Sequence, residues 1–146
     1  MNNNQSKKSD SIESILLEEL TDNGVIRLTL NDDKRRNSLS EEMMSKLTLS
    51  LKHASKNEAI RVIIIAGNGP AFCSGHDLKQ MSAGRNSNDN GLEYFTEVFS
   101  SCSTLMQLIV NHPKPVIAEI SGIAAASGCQ LAVSYTHLTL PTTPYV

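Results

Sequence analysis

Two glycine-containing segments of this chain could do chemistry through their main-chain N–H groups. They are residues 71–79, Ala-Phe-Cys-Ser-Gly-His-Asp-Leu-Lys, and residues 121–131, Ser-Gly-Ile-Ala-Ala-Ala-Ser-Gly-Cys-Gln-Leu. Glycine lets another group approach the backbone closely, and the start of a helix, predicted in the second segment, presents free N–H groups. Two such donors directed at one oxygen form an oxyanion hole, each worth ~2.7–4 kcal/mol in a transition state. Either segment alone is more often a structural turn.

Five side chains in these segments have both a chemical and a structural interpretation. His76 could act as a general base, or contribute only its backbone. Cys73 could be a nucleophile, but no neighbour in sequence lowers its pKa, which favours a small buried residue. Asp77 could bind a ligand or cap the following helix, Lys79 could meet an anion or be solvated, and Gln130 could bind a ligand or pack in a helix.

The composition excludes several classes of function. The 146 residues, 40% of them hydrophobic and 19% charged with a net charge of −2, suit one domain with a core. We therefore expect no nucleic-acid partner and no membrane partner. Three cysteines, Cys73, Cys102 and Cys129, without a C-x-x-C pair suggest neither disulfides nor a metal site.

The N-terminus bears on localisation. Residues 1–11 are polar and predict a disordered leader without the apolar region of a secretory signal. We expect a cytoplasmic protein. A mitochondrial location would apply to a eukaryotic source, but the absence of arginine before Arg27 does not support it.

Alternating strands and helices must position the two segments, which predicts an α/β fold. Residues 25–30 alternate between apolar and polar and should pair as a hairpin with the strand before them, across the turn at 22–24. The β-branched run at 62–66 predicts a strand buried on both faces. His53 and His112 should lie exposed at helix ends. The predicted strands are 12–20, 25–30, 62–66 and 116–120, the helices are 41–56, one within 91–112 and one in 122–133 beyond its first turn, and polar loops cover 31–39 and 82–90.

Three motifs in this order resemble the enoyl-CoA hydratase/isomerase (crotonase) family. They are Arg-Asn-Ser-Leu at 36–39, Phe-x-Ser-Gly-x-Asp-Leu-Lys at 72–79 and Pro-Lys-Pro-Val-Ile-Ala-x-Ile-x-Gly at 113–122. The resemblance runs over residues 12–133 and implies the N-terminal part of a crotonase-like domain, a truncated ββα superhelix. Residues 134–146, rich in Thr and Pro and uncharged, do not fit the family and predict a non-native tail.

The resemblance implies a function in fatty-acid metabolism and a set of site residues. The family binds the carbonyl of an acyl-CoA thioester through two backbone amides, which here are those of His76 and Ser127. Coenzyme A would enter as part of the substrate, with no separate cofactor and no metal, and the full-length family implies a homotrimer or hexamer. The substrate-binding positions implied are Arg36, Ser38, Cys73, Ser74, Gly75, Asp77, Leu78, Lys79 and Gly128.

Gln130 departs from the family pattern. Family hydratases have a catalytic glutamate at this position, and glutamine cannot exchange a proton near neutral pH. Water addition is therefore in doubt, although Gln130 could hold a water or a substrate group. A non-catalytic acyl-CoA-binding or regulatory homologue and an inactive fragment stay as alternatives. A dinucleotide-binding domain does not, because Gly67, Gly69 and Gly75 do not form G-x-G-x-x-G.

Overall fold

The computed structural model of this chain describes residues 14–134 and the backbone of residues 137–139. The mixed α/β organisation agrees with the prediction. In chain order, the strands are β1 Leu16–Leu20, β2 Val25–Leu30, β3 Val62–Gly67, β4 Ala71–Cys73, β5 Val116–Glu119, β6 Ile123–Ala124 and β7 His137–Thr139, and the α-helices are α1 Glu41–Lys56, α2 Leu78–Gly84, α3 Leu92–Val110 and α4 Ser127–Val133.

A five-stranded sheet in the order β1-β2-β3-β5-β7 forms one layer. β1 and β2 form the predicted antiparallel hairpin, with Leu16 opposite Leu30, and the remaining pairs are parallel. Ile26, Leu28 and Leu30 are buried, as their alternation predicts. The first strand is shorter than predicted, because Ser14 and Ile15 precede it without strand pairing.

Helix α1 coincides with the predicted range of 41–56. Ser40 caps it by accepting a hydrogen bond from the amide of Met43 at 3.2 Å, and Glu41 and Glu42 occupy the first turn, where the helix dipole favours anions. Its buried face packs in one core with α3 and the sheet, through Leu47 and Leu51 among others. Four residues on the predicted stripe of α3 are buried: Val98, Cys102, Leu105 and Ile109.

Four details differ from the sequence predictions. Strand β3 is not fully buried on both faces, because Val62 and Ile64 are partly exposed whereas Ile63 and Ile65 on the other face are buried. Residues 82–84 are helical rather than part of a loop, since α2 begins at Leu78 and ends at Gly84. The last predicted strand, 116–120, ends at Glu119. The fourth difference is the short strand β6, which the sequence did not predict; α4 follows it from Ser127, beyond the first turn of the segment as expected.

His112 was predicted to be exposed, which is wrong, whereas His53 is exposed as expected. The ring of His112 is only 8% exposed and lies against the end of α1. Its Nε2 is 3.0 Å from the carbonyl oxygen of Leu51, and its Nδ1 accepts a hydrogen bond from the amide of Lys114 at 3.2 Å. These two main-chain partners, rather than solvent, satisfy the ring.

The predicted leader at 1–11 lies outside the described residues, as does most of the predicted tail at 134–146. Of the tail, residues 137–139 pair in parallel with β5. In the described part of the chain, no helix has the length and apolar character needed to cross a membrane. The same residues contain no cluster of metal-ligating side chains.

Candidate functional site

A second, two-stranded sheet brings the two glycine-containing segments together. Strands β4 and β6 pair in parallel, with Ala71 opposite Ile123 and Cys73 opposite Ala124. The carboxyl ends of parallel neighbours lie at the same edge of a sheet, so the chain leaves both strands side by side. The amide of Ala125 then donates to the carbonyl of Cys73 at 3.0 Å, which fixes the second segment against the first.

Two glycines allow this close approach. Gly75 has φ of +93°, and a Cβ there would lie 3.0 Å from the Cβ of Ala126 and 3.3 Å from Ser127 Oγ. A Cβ at Gly128 would lie 2.2 Å from the carbonyl oxygen of Cys73, well inside contact distance. Both predicted site glycines are therefore needed for main-chain contact between the segments.

The amides of His76 and Ser127 are left without partners in this arrangement. Among residues 14–134, neither amide donates a backbone hydrogen bond, whereas those of Ala125 and Gly128 do. Both residues line one cavity of about 710 Å³ between the two segments and α3. The cavity is lined by His76, Phe99, Cys102, Ser103, Met106, Ala126, Ser127, Gln130, Val133 and Ser134.

The backbone is strained directly before Ser127. Ala126 has φ of 49° and ψ of −125°, a conformation that a residue with a Cβ rarely adopts. Strain of this kind costs of the order of 1–3 kcal/mol and persists only where surrounding contacts impose it. Ala126 lies close to Gly75 and directly precedes α4, so the strained residue stands at the junction of the two segments.

Polar side chains accompany the amides in the cavity, among them those of His76, Ser127 and Gln130. The imidazole of His76 is half-buried, and its Nδ1 is enclosed with no hydrogen-bond partner in the described chain. Burial lowers the pKa of His76, and a hydrogen bond to the carbonyl of Leu39 partly offsets the effect. Ser127 Oγ is likewise enclosed and unpartnered there, and Gln130 is exposed towards the same cavity.

Cys73 is a buried packing residue. It is 0% exposed, and burial raises the pKa of its thiol to about 11, so the thiolate is scarce at neutral pH. The interpretation as a small buried residue is confirmed. Its carbonyl, not its sulfur, serves the site by accepting the hydrogen bond from Ala125.

Asp77 is the N-cap of α2. Its carboxylate accepts hydrogen bonds from the amides of Lys79 at 2.9 Å and Gln80 at 3.3 Å, and Arg35 Nη1 lies 3.4 Å from it. The capping interpretation is therefore confirmed. Leu78 and Lys79, by contrast, are exposed on the first turn of α2. Ligand binding by all three stays a prediction.

The loop that contains Arg36 and Ser38 lies against the first segment. The amide of Ser74 donates to the carbonyl of Arg36 at 3.1 Å, and the amide of Leu39 donates to that of Gly75 at 2.8 Å. The guanidinium-bearing residue Arg36 is exposed, whereas Ser38 is buried. The structure thus brings these predicted binding residues beside the 74–77 turn.

Sequence reasoning missed Asn37, which anchors this loop. Asn37 is fully buried with φ of 53°, and its side-chain amide donates to the carbonyls of Asn68 and Ala71, both at 2.8 Å. It therefore ties the loop to both ends of the turn that leads into β4. Asparagine tolerates positive φ better than most residues, which was the available signal. Of the α3 residues in the cavity, Phe99, Cys102 and Met106 belong to the predicted core stripe, which the resemblance also implies as a border of the acyl pocket, whereas Ser103 was not identified.

Comparison with known proteins adds the family context. The profile of the enoyl-CoA hydratase/isomerase family matches residues 20–136. The chain is 43% identical over 111 residues to enoyl-CoA hydratase domain-containing protein 3, mitochondrial, of both rat and human. It is also 34% identical over 110 residues to 1,2-epoxyphenylacetyl-CoA isomerase of Escherichia coli. The Gly-His-Asp-Leu-Lys and Ala-Ser-Gly-Cys-Gln-Leu forms of the motifs predict the first of these branches, and the comparisons confirm it.

Solved structures agree with the fold expected from the motifs. The crystal structure of an enoyl-CoA hydratase of Mycobacterium smegmatis matches with a TM-score of 0.80 and 38% identity, over 86% of this chain and 47% of that one. Human enoyl-CoA hydratase domain-containing protein 3 matches with a TM-score of 0.77 at the same identity and coverage. The predicted crotonase fold is thus confirmed. The match to the rat and human relatives covers 76% of this chain but only 35% of the length of those proteins.

Proposed function

Because this chain belongs to the enoyl-CoA hydratase/isomerase family, we propose that it binds an acyl-CoA thioester in the cavity between the two glycine-containing segments and α3 and polarises the thioester carbonyl. The observation that carries the proposal is the pair of unpartnered amides at His76 and Ser127, on two touching segments that line one cavity. The relatives' names, which include an enoyl-CoA hydratase domain and a CoA-thioester isomerase, give the substrate class.

The physical basis is donor preorganisation. Neither amide donates to the main chain of the described residues, so a ligand oxygen that accepts from both gains two hydrogen bonds without breaking a backbone hydrogen bond there. As negative charge develops on that oxygen, the same two donors stabilise it more strongly. The strained Ala126 and the packed Gly75 hold the donors in place before the ligand arrives.

The nucleotide end of the ligand would lie along the exposed residues next to the cavity. Lys79 on the first turn of α2 and Arg36 in the neighbouring loop are exposed cations that can meet phosphate groups. The hydrogen bond from the Ser74 amide to the Arg36 carbonyl keeps this loop beside the first glycine-containing segment. Asp77 would contribute by capping α2 and thereby orienting Lys79.

The amides can be observed directly by NMR with the 146-residue chain. We expect crotonyl-CoA to move the ¹H resonances of the His76 and Ser127 amides downfield, and free coenzyme A, which lacks the thioester, to leave them in place. The amide of Ala125 is the matched internal control, since it already donates to Cys73. A ¹³C-labelled thioester carbonyl should move downfield on binding. Binding that shifts other amides but not these two would contradict the proposal.

Two variants separate the amide from the side chain at position 127. Ser127→Ala keeps the N–H and should keep the ¹³C shift of the bound carbonyl, whereas Ser127→Pro removes the N–H at the first position of a helix, where proline is tolerated. Loss of the shift in the proline variant alone, with an unchanged circular dichroism spectrum, supports the proposal. An equal shift in both variants contradicts it.

Hydration of crotonyl-CoA, followed by absorbance, distinguishes an enzyme from a binding protein.

A further inference from the structure

The cavity wall contains few groups that could exchange a proton. None of its lining residues carries a carboxylate or an amine, and Gln130 does not titrate. Two lining side chains do titrate, the thiol of Cys102 and the imidazole of His76. Burial raises the pKa of Cys102, so this thiol stays protonated near neutral pH. The imidazole is therefore the only group of the described wall suited to proton transfer at physiological pH.

The environment of His76 favours the neutral imidazole. Its ring packs edge-on against Phe99, with 5.5 Å between the ring centroids and 77° between the ring planes, which holds it at the cavity wall. Burial is the main cause of its lowered pKa, so the basic form prevails at neutral pH. Of the other titratable groups nearby, Asp77 is next in sequence and pairs with Arg35, and Cys102 lines the same cavity. None of these groups is among the causes of the shift.

Two enclosed polar atoms in this wall lack partners in the described chain. One is Nδ1 of His76, and the other is Oγ of Ser127, a residue that is 7% exposed. The segments that carry them touch, because a Cβ on Gly75, next to His76, would lie 3.3 Å from Ser127 Oγ. Buried polar groups normally have hydrogen-bond partners, and such exceptions at a cavity indicate a place that a ligand completes.

We propose that the His76 side chain is a catalytic residue of this site, the base that exchanges a proton with the Cα carbon of the bound acyl thioester. This assignment rests on the proposed function, since it needs the thioester carbonyl bound by the amides of His76 and Ser127. One residue would then supply both a main-chain donor and a side-chain base. In any thioester, Cα is bonded directly to the carbonyl carbon, so a group beside the bound carbonyl is also near Cα.

The step conserves atoms and electrons. The Cα–H bond breaks, its proton goes to an imidazole nitrogen, and His76 becomes an imidazolium. The electron pair of that bond forms a double bond between Cα and the carbonyl carbon, while the carbonyl π pair moves to the oxygen as an enolate held by the two amides. Reversal returns a proton to Cα. In D₂O the imidazolium exchanges with solvent, so reversal leaves deuterium at Cα.

The test is deuterium incorporation at Cα of butanoyl-CoA in D₂O, followed by ¹H NMR with the 146-residue chain. We expect exchange well above the rate without protein, and His76→Gln should reduce it by ~10²-fold or more, in the range of general-base effects. This variant keeps the backbone amide, so the ¹³C shift of the bound carbonyl should persist. His53→Gln, at an exposed histidine on α1, is the matched control and should exchange like the unchanged chain.

A second measurement does not depend on the folding of a variant. The exchange rate of the unchanged chain should fall on acidification with the same midpoint as the His76 ring resonances, because only the neutral imidazole accepts a proton. Equal exchange in His76→Gln, or a midpoint unrelated to the ring, overturns the assignment. A carbonyl shift without any Cα exchange also overturns it, and leaves the proposed function intact. Absence of butanoyl-CoA binding overturns both.

Discussion

At the scale of single residues, the site depends on how closely the main chains of two segments approach. Gly128 permits the second segment to lie on the carbonyl of Cys73, and Ala126 takes a conformation that an ordinary alanine avoids. Neither residue offers a functional group. In the proposed function they act by positioning the His76 and Ser127 amides, so substitutions there should alter stability and ligand binding together.

Gly128→Ala tests the close approach. The added Cβ would lie 2.2 Å from a main-chain oxygen that cannot move without disturbing β4, so we expect a loss of about 1–3 kcal/mol in the free energy of unfolding. Urea denaturation measures it. Val133→Ala, at a residue of α4 that is 73% exposed, is the control and should stay within about 0.5 kcal/mol. Comparable effects of the two substitutions would show that the contact is unimportant.

Ala126→Gly tests the strain. Glycine adopts positive φ without steric cost, so the relief should match or exceed the entropic penalty of about 0.5–1 kcal/mol that glycine normally carries. We therefore expect unchanged or increased stability to urea. Ala83→Gly, on an exposed position of α2, should instead lose about 1 kcal/mol. A similar loss at both positions would mean that Ala126 is not strained.

At the scale of elements, the C-terminal end of α1 depends on residues far away in sequence. Lys114 Nζ donates to the carbonyls of Ala54 and Asn57, both at 2.6 Å, while the ring of His112 lies against Leu51. A cation at this end also interacts favourably with the helix dipole. The segment that precedes β5 thus satisfies carbonyl groups at the C-terminal end of α1, and so joins this helix to the sheet.

Lys114→Met should therefore cost about 1.5–3 kcal/mol in the free energy of unfolding, because two helix carbonyls lose a charged donor while the aliphatic stem is kept. Thermal unfolding and amide hydrogen exchange of the last turn of α1 measure this effect. Lys56→Met, an exposed lysine on the same turn, is the matched control and should have little effect. If both variants behave alike, the side chain of Lys114 does not close the helix.

At the scale of the whole molecule, the two sheets have different roles. The five-stranded sheet with α1 and α3 forms the core, and the two-stranded sheet β4–β6 presents the site segments beside α3. The outer face of the large sheet carries a bidentate pair between Arg27 on β2 and Glu119 on β5, across β3. This pair links β2 and β5 across β3, although both side chains are substantially exposed.

The Arg27–Glu119 pair makes a pH-dependent contribution to stability. The guanidinium holds the pKa of Glu119 below its ordinary value of 4.5, so the contribution is complete above that value and is lost as the pH falls through the folded-state pKa. A double-mutant cycle with Arg27→Met and Glu119→Gln should give a coupling of about 0.2–1 kcal/mol at pH 7, because exposed pairs are weak. The coupling should shrink below pH 4.5 and in high salt. A coupling constant from pH 7 to strongly acidic conditions would contradict the account.

Much of the fold was predictable because its signals are local. The alternation in β2, the N-cap at Ser40, the apolar stripe of α3 and the β-branched run of β3 each depend on neighbours a few residues apart. The motifs at 36–39, 72–79 and 113–122 also identified the family, because each is a short run of residues that can be recognised without the fold. The role of Asp77 was ambiguous, because the same carboxylate suits a helix cap and a ligand.

The sequence by itself determined four strands and three helices in their order, the family and the residues of the two glycine-containing segments, but not the strands β4 and β6 within those segments. Only the tertiary structure decided that β4 and β6 are neighbours, that the ring of His112 is buried, and that the His76 and Ser127 amides are unpaired beside one cavity. The physical reason is distance along the chain. Local propensities act over a few residues, whereas a hydrogen bond such as that from Ala125 to Cys73 joins residues that only folding brings together.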